Sequence, residues 1–471
     1  MCVERRLPGG FCGTFVAAVA LAAVLMGGGQ GCAGDRAAGS APDDAQGDPL
    51  SSDAGGRPPA STGNQSTDAQ IRAHDGSAGP SAVIDARVAA ADASAAGTGN
   101  RDAGLTPALP YALDCGPHGV AIESAGPPKN RVNYVILGDG YSQDQLDTLF
   151  VQHIQKAMTK RFSPLGEPYG RYRKFVNICA IKVASQTSPI GKGATAFKCT
   201  GDDQSRLAMC DEAAAAMAIA SNIPAGFEVD WTSLVLNNDR WWNTGAQLML
   251  WSGAHKDAPG AALHEGGHGF HQLADEYGGT GDGCTREYGE VNSTADMMGT
   301  GGKWDMWLDY VQPNATGRQG AFLGSRYCDK SQYRPSDNSM MNSLFGDNPN
   351  TSFNAVSREK MVMDIWRAVT PIDDSSPAPG AVPAPGLLSV HVIDPAVIEV
   401  DWSVDGQLVA AKGGASFDVA SRSLPAGVHT VSARAYDNAG PELVRYKTGT
   451  KFGRMNWARS QQTLSWTVTV P

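Results

Sequence analysis

His264-Glu-Gly-Gly-His-Gly-Phe-His-Gln-Leu-Ala-Asp-Glu-Tyr-Gly-Gly279 is the stretch around which the chain is organised. On a helix, His264 and His268 stand one turn apart on one face, so both imidazoles can reach a single metal ion, while Glu265 beside them faces the water at that ion. With 9 histidines in 471 residues, roughly one chain in a hundred of this composition would hold HExxH by accident. Context lifts the pentad above that background. Pro259-Gly-Ala-Ala-Leu263 is a small-residue approach to a buried helix, and Leu273-Ala-Asp-Glu-Tyr277 follows it. The pattern predicts Zn2+ on His264 and His268, with Glu265 as the general base of a hydrolysis.

A third ligand is needed, and helix geometry constrains it. A continuous helix would carry Asp275 about 10 Å along the axis from His268, at roughly 1.5 Å per residue, too far to share an ion. Asp275 can ligate only if the helix breaks near His271 to Leu273 and the chain folds back. If the helix instead runs on to the Gly278-Gly279 stop, Glu287 or Glu290 becomes the candidate, with Glu276 and His271 as rivals.

HExGH followed by LADEY resembles the IgA peptidase family of zinc metallopeptidases, related to the metzincins. Asn130-Arg-Val-Asn-Tyr-Val-Ile-Leu-Gly-Asp-Gly-Tyr141 upstream and Tyr333-Arg-Pro-Ser-Asp-Asn-Ser-Met-Met-Asn342 downstream share the resemblance, which covers roughly residues 118–370. It implies a zincin-like fold, a chain reversal that makes Asp275 the third ligand, and a tight methionine turn at Met340-Met341 beneath the metal. Two positions depart from the family pattern. Gly266 stands where a bulkier residue is usual, and His271 with Gln272 replaces the turning glycine.

The rest of the chain gives this site a setting. A net charge of −10 and no basic patch argue against nucleic-acid binding. Residues 1–32 read as a signal peptide, with Arg5-Arg6, an apolar run from Phe15 to Met26 too short for a membrane span, and Cys32 after a small residue. Both a lipid anchor at Cys32 and simple signal cleavage fit, so the protein is expected to be secreted or anchored in the cell envelope. Setting aside Cys2, Cys12 and Cys32 leaves six cysteines, an even number that in an exported chain predicts three disulfides. Cys199 with Cys210 spans a short loop, and Cys284 with Cys328 would tie the segment after the metal helix to the methionine pair.

Residues 33–108 hold no Phe, Trp or Tyr and are crowded with Ala, Gly, Ser, Asp and Pro, the composition of a disordered tether. The catalytic domain is then placed at 109–371. Within it, Val132 to Leu137 reads as a buried strand entering Gly138-Asp-Gly140. That Gly-x-Gly lacks the third glycine of a dinucleotide site and fits a strand-to-helix turn, because Ser142 and Gln145 form a capping box. Further strands are expected at 175–183, 232–236 and 247–251, and helices at 207–220 and 356–369. In zincins the strand comparable to 247–251 offers an unpaired edge to an extended substrate. Trp304 and Trp307 read as packing residues.

A Pro-, Ser-, Gly- and Ala-rich linker is placed at 372–386. Beyond it, 387–471 alternates over short strands, with Asp405-Gly406 as a hairpin turn, the spacing of an immunoglobulin-like β-sandwich. The fold class is therefore α+β with a C-terminal all-β module. The expected activity is that of an exported zinc endopeptidase acting on a protein or peptide substrate. The alternative is a surface-anchored binding protein whose peptidase fold is vestigial.

Overall fold

A computed structural model of the chain describes residues 111–279, 286–298, 303–313, 317–343, 352–382, 385–445 and 457–471. The segments read as a signal peptide (1–32) and a tether (33–108), with Cys32, lie outside the described residues. The fold is mixed α+β, with several sheets and few helices.

Its centre is a six-stranded sheet in the order Gly119–Glu123, Val176–Ile181, Val132–Asp139, Trp231–Leu236, Leu248–Ser252, Asn243–Thr244. The four inner strands pair in parallel, and the two outer ones are antiparallel. Val132–Asp139 and Val176–Ile181 are buried at every position, as strands covered on both faces must be. Alternation then splits the sheet into two cores. Tyr134, Ile136, Ile178, Trp231 and Met249 point to one face, against helices α1 (Val151–Arg161) and α3 (Ala258–Gly269). Val135, Leu137, Leu234 and Leu236 point to the other, with Ala215 of helix α2 (Glu212–Asn222).

Helix α2 begins later than the expected 207–220. Ala208–Met209 pairs with Thr200–Gly201 as a short antiparallel ladder, closed by the Cys199–Cys210 disulfide. The helix starts only after Asp211, whose side chain accepts from Ala214 N. A second disulfide, Cys115–Cys179, ties the segment before Gly119–Glu123 to the sheet. Cys328 is disulfide-bonded, and its expected partner Cys284 lies outside the described residues.

The expected substrate edge at 247–251 is corrected. Leu250 and Trp251 pair outward with Thr244 and Asn243, so the sheet's rim on this side is Asn243–Thr244. The rim carries a further cover, because Asn243 bridges to Leu207.

The linker at 372–386 is also corrected. Ile372–Ser376 pairs with Leu387–Val392, and Gly380–Val382 pairs with Gln461–Val470. Its composition rules out a core but not edge strands, and Arg131 holds Asp373 in a two-pronged ion pair at 2.7 Å. The C-terminal strands form two sheets, of three and five strands. Trp402, Phe417 and Trp466 stack between them. Ile398–Val404 alternates buried and part-buried along its length, and Asp405 and Gly406 turn with φ of 50° and 78°.

No slack joins this part to the rest. Helix α4 (Ala355–Ala368) brings Trp366 Nε1 to 2.9 Å from Asp437 of the C-terminal part, which also accepts from Tyr172 and Arg171. With Ala439 N as a fourth, these donors satisfy the charge of the buried carboxylate.

Candidate metal centre

Helix α3 is packed by its small residues. A Cβ on Gly266 would meet Trp231 at 2.8 Å, and one on Gly267 would meet Met341 Sδ at 2.5 Å. Residues larger than glycine would push the helix off the sheet and off the methionine turn, which accounts for the departure at Gly266. From α1, buried Arg161 donates to Ala262 O at 2.9 Å, its guanidinium lying over Trp231, Tyr169 and Tyr134.

The helix ends at Gly269. Gln272 takes φ of +53°, in the left-handed region where glycine is usual, and its N–H closes on His268 O at 3.0 Å. Leu273 N donates to Gly267 O at 2.9 Å, and the chain turns back. Asp275 thereby returns to the two histidines. His264 Nε2, His268 Nε2 and Asp275 Oδ1 form a triangle with every side 3.1 Å. They are also the one cluster of metal-ligating side chains found among the described residues.

These donors fit a small divalent cation. Corners of a 3.1 Å triangle lie about 1.8 Å from its centre, a spacing that would suit the roughly 2.0–2.1 Å bonds of zinc. The far ring nitrogens are already committed. His264 Nδ1 lies 2.9 Å from Met340 O and His268 Nδ1 2.7 Å from Leu273 O, so each Nδ1 carries the proton and each Nε2 turns a lone pair inward. Burial would raise the Asp275 carboxyl, but hydrogen bonds and charge from His264 and His268 hold it far below the ordinary range. Burial would lower His268, yet Asp275, with help from Glu265, lifts it to about 9. Together these groups favour a positive charge at this point.

Glu265 sits beside the triangle with its pKa raised, mainly by burial. No described residue donates a hydrogen bond to its carboxylate, which is free to take a proton from water in the cleft.

The rival ligands are engaged elsewhere. Glu276 is buried among Asn292, Asn354 and Ser339, each donating to it. Glu287 accepts from Thr294 and Ala295 and pairs with Lys303, and Glu290 pairs with Arg326. His271 is fully buried between Tyr169 and Asp364, where burial lowers its pKa to about 4. Each of the four holds structure together around the site.

The triangle opens into a cleft of about 580 Å³, lined also by Ser205, Arg206, Leu207, Trp241, Asn243–Gly245, Tyr277, Tyr327 and Asn342. Sequence reasoning gave none of these a role. Tyr277 carried a signal, following Asp275 by two positions. Tyr327 carried none, and reaches the cleft because Arg326 N and Tyr327 N bond to Asp275 O and Tyr277 O. The two phenols meet at 2.9 Å, and burial holds both pKa values above the ordinary value. They are neutral donors facing the cleft. Gly245 is needed for closeness, since a Cβ there would meet His268 Cδ2 at 2.4 Å.

The family model of IgA Peptidase M64 matches residues 120–318, a span that contains the whole triangle. No curated protein matches the chain. Among solved structures, fibronectin(III)-like modules of Clostridium thermocellum CbhA align with 16% identity over 21% of this chain and 93% of that one, at a TM-score of 0.13 that carries no weight for the fold. Residues 120–318 are thus similar to the IgA Peptidase M64 family, a family of peptidases.

Proposed function

We propose that this chain is an exported zinc endopeptidase, a zincin-like catalytic domain followed by an immunoglobulin-like sandwich. The observation that carries the reading is the triangle of His264 Nε2, His268 Nε2 and Asp275 Oδ1, with 3.1 Å sides, beside the buried Glu265. When bound, zinc supplies Lewis acidity, polarising a carbonyl and lowering the pKa of water to about 7.

The chain's own residues do the rest. Glu265, with no donor on its carboxylate among the described residues and its pKa raised by burial, takes the proton of the attacking water and returns it to the departing amide nitrogen. Tyr277 and Tyr327 present hydroxyls toward the same cleft and can donate to the carbonyl oxygen as it gains charge. His264 and His268 stay oriented by Met340 O and Leu273 O. Export is supported by the Cys115–Cys179 and Cys199–Cys210 disulfides and by the signal-like N-terminus. A lipid anchor at Cys32 is part of this proposal and rests on sequence alone.

The test uses the full chain on a mixed peptide library, with metal analysis of the same sample. The expected result is one zinc per chain, with cleavage stopped by a chelator and restored by zinc. Glu265→Gln should keep the zinc and lose about 10²–10⁴-fold in kcat. A zinc-loaded chain that cleaves nothing, or an active Glu265→Gln, overturns the proposal.

A further inference from the structure

The wall of the cleft facing the triangle carries a positive charge that the reaction does not use. Arg206 lines the same cleft as His264, Glu265 and Asp275. It sits at the tip of the loop closed by Cys199–Cys210 and takes φ of +63°, a left-handed conformation that strains a non-glycine residue. The backbone is pinned there from both sides. Arg206 N donates to Asp202 O at 2.8 Å, and Arg206 O accepts from Asn243 N at 3.1 Å, on the rim of the sheet.

The loop's own acids are occupied. Asp203 pairs with Arg240 and accepts from Trp242 Nε1, and Asp202 caps a turn by accepting from Ser205 N. Among the described residues, the Arg206 guanidinium has neither an ion pair nor a hydrogen bond. The other charges lining the cleft among the described residues belong to the triangle and Glu265. An arginine whose backbone is pinned at the edge of the substrate cleft and whose fork has no partner among the described residues is suited to receive a carboxylate.

We propose that Arg206 is a specificity-determining residue that selects substrates carrying an acidic side chain near the scissile bond. This rests on the peptidase reading above. The chain's net charge of −10 gives no long-range attraction to acidic peptides, so the preference is a contact effect. A partly exposed charge pair of this kind gives roughly a 5- to 10-fold preference.

The test compares peptides identical except for Glu, Gln or Lys at each position flanking the cleaved bond. With the full zinc-loaded chain, kcat/KM should favour Glu over Gln at one position by about 5- to 10-fold, and Lys should be worst there. Arg206→Gln should bring the Glu/Gln ratio near 1, Arg206→Glu should invert the order in favour of Lys, and Arg206→Lys should keep the preference for Glu. A peptide with an amidated C-terminus should keep the preference, and losing it there would overturn the side-chain assignment in favour of a terminal carboxylate. Binding of the same peptides to Glu265→Gln, read by fluorescence anisotropy, reports on Arg206 even if no peptide is cleaved. A Glu/Gln ratio near 1 for the native arginine in that binding assay, or a ratio unmoved by Arg206→Gln, overturns the proposal and leaves the zinc reading standing.

Discussion

The two walls of the cleft follow opposite plans. The wall from His264 to Tyr277 is buried and cross-braced, with His264 and Glu265 only 4% and 7% exposed and each imidazole tied through its far nitrogen to a backbone carbonyl. The facing wall, Ser205–Leu207 with Trp241–Gly245, is more open, with Leu207 57% and neighbouring Met209 72% exposed, although Asn243 at its rim is buried. A disulfide and a few backbone bonds hold it. Reacting atoms need placement within fractions of an ångström, so their wall is packed on a helix and a sheet. A wall that recognises substrate works by shape and charge and can be carried on a loop. Changes on the first wall should therefore abolish function, and changes on the second should tune it.

The sharpest test of that contrast lies on the buried wall. Asp275→Ala removes one corner of the triangle and should weaken zinc binding about 100-fold or more, measured by competition with a chromogenic chelator. Glu287→Ala and Glu290→Ala, whose carboxylates face Thr294, Lys303 and Arg326, should stay within about threefold of the native affinity. Normal affinity in Asp275→Ala would dissolve the distinction between the walls, because the corner assigned to chemistry would then be dispensable.

The facing wall should respond differently. Replacing Cys199 and Cys210 together with serine frees a loop whose closure is worth about 3 kcal/mol by chain entropy, but it touches no proposed ligand. Zinc stoichiometry should be unchanged, while KM should rise about 5- to 10-fold with kcat nearly constant, the pattern of lost substrate binding. A fall in zinc content would mean that the walls are mechanically coupled, contrary to the contrast drawn here.

How much of this was readable in the sequence follows the same division. The buried strands at 132–139, 176–181, 231–236 and 248–252 were legible because a strand covered on both faces must be a continuous apolar run. His264, Glu265 and His268 were legible because helix spacing alone sets them side by side. Asp275 depended on a turn that the usual glycine does not mark, since Gln272 adopts the left-handed conformation in its place. The facing wall was illegible because it is assembled by topology. Arg206 meets Asn243 only after the sheet forms, and Leu207 and Met209, apolar and next to a helix, look like that helix's first turn. The segment 372–386 misled for a related reason. Composition reports whether a segment can form a core, and edge strands at 372–376 and 380–382 borrow theirs from Leu387–Val392 and Gln461–Val470.

The smallest expected effect lies at the hinge that makes the buried wall possible. Gln272 is exposed, its side chain makes no hydrogen bond among the described residues, and its backbone sits at φ +53°. An L side chain pays about 1–2 kcal/mol to stay in that region, whereas glycine enters freely but gives up about 0.5–1 kcal/mol of unfolded-chain entropy. The difference favours glycine, so Gln272→Gly should stabilise the chain by about 0.5–1 kcal/mol, seen as a small rise in the denaturant midpoint. Zinc affinity should stay within about twofold, because the bonds from Gln272 N to His268 O and from Leu273 N to Gly267 O run through the backbone and survive the change. Gln272→Ala supplies the control, keeping a Cβ and gaining nothing. If Gln272→Gly destabilised the chain or loosened the metal, the reversal after His271 would depend on the side chain, and the buried wall would owe its geometry to a contact on its exposed face.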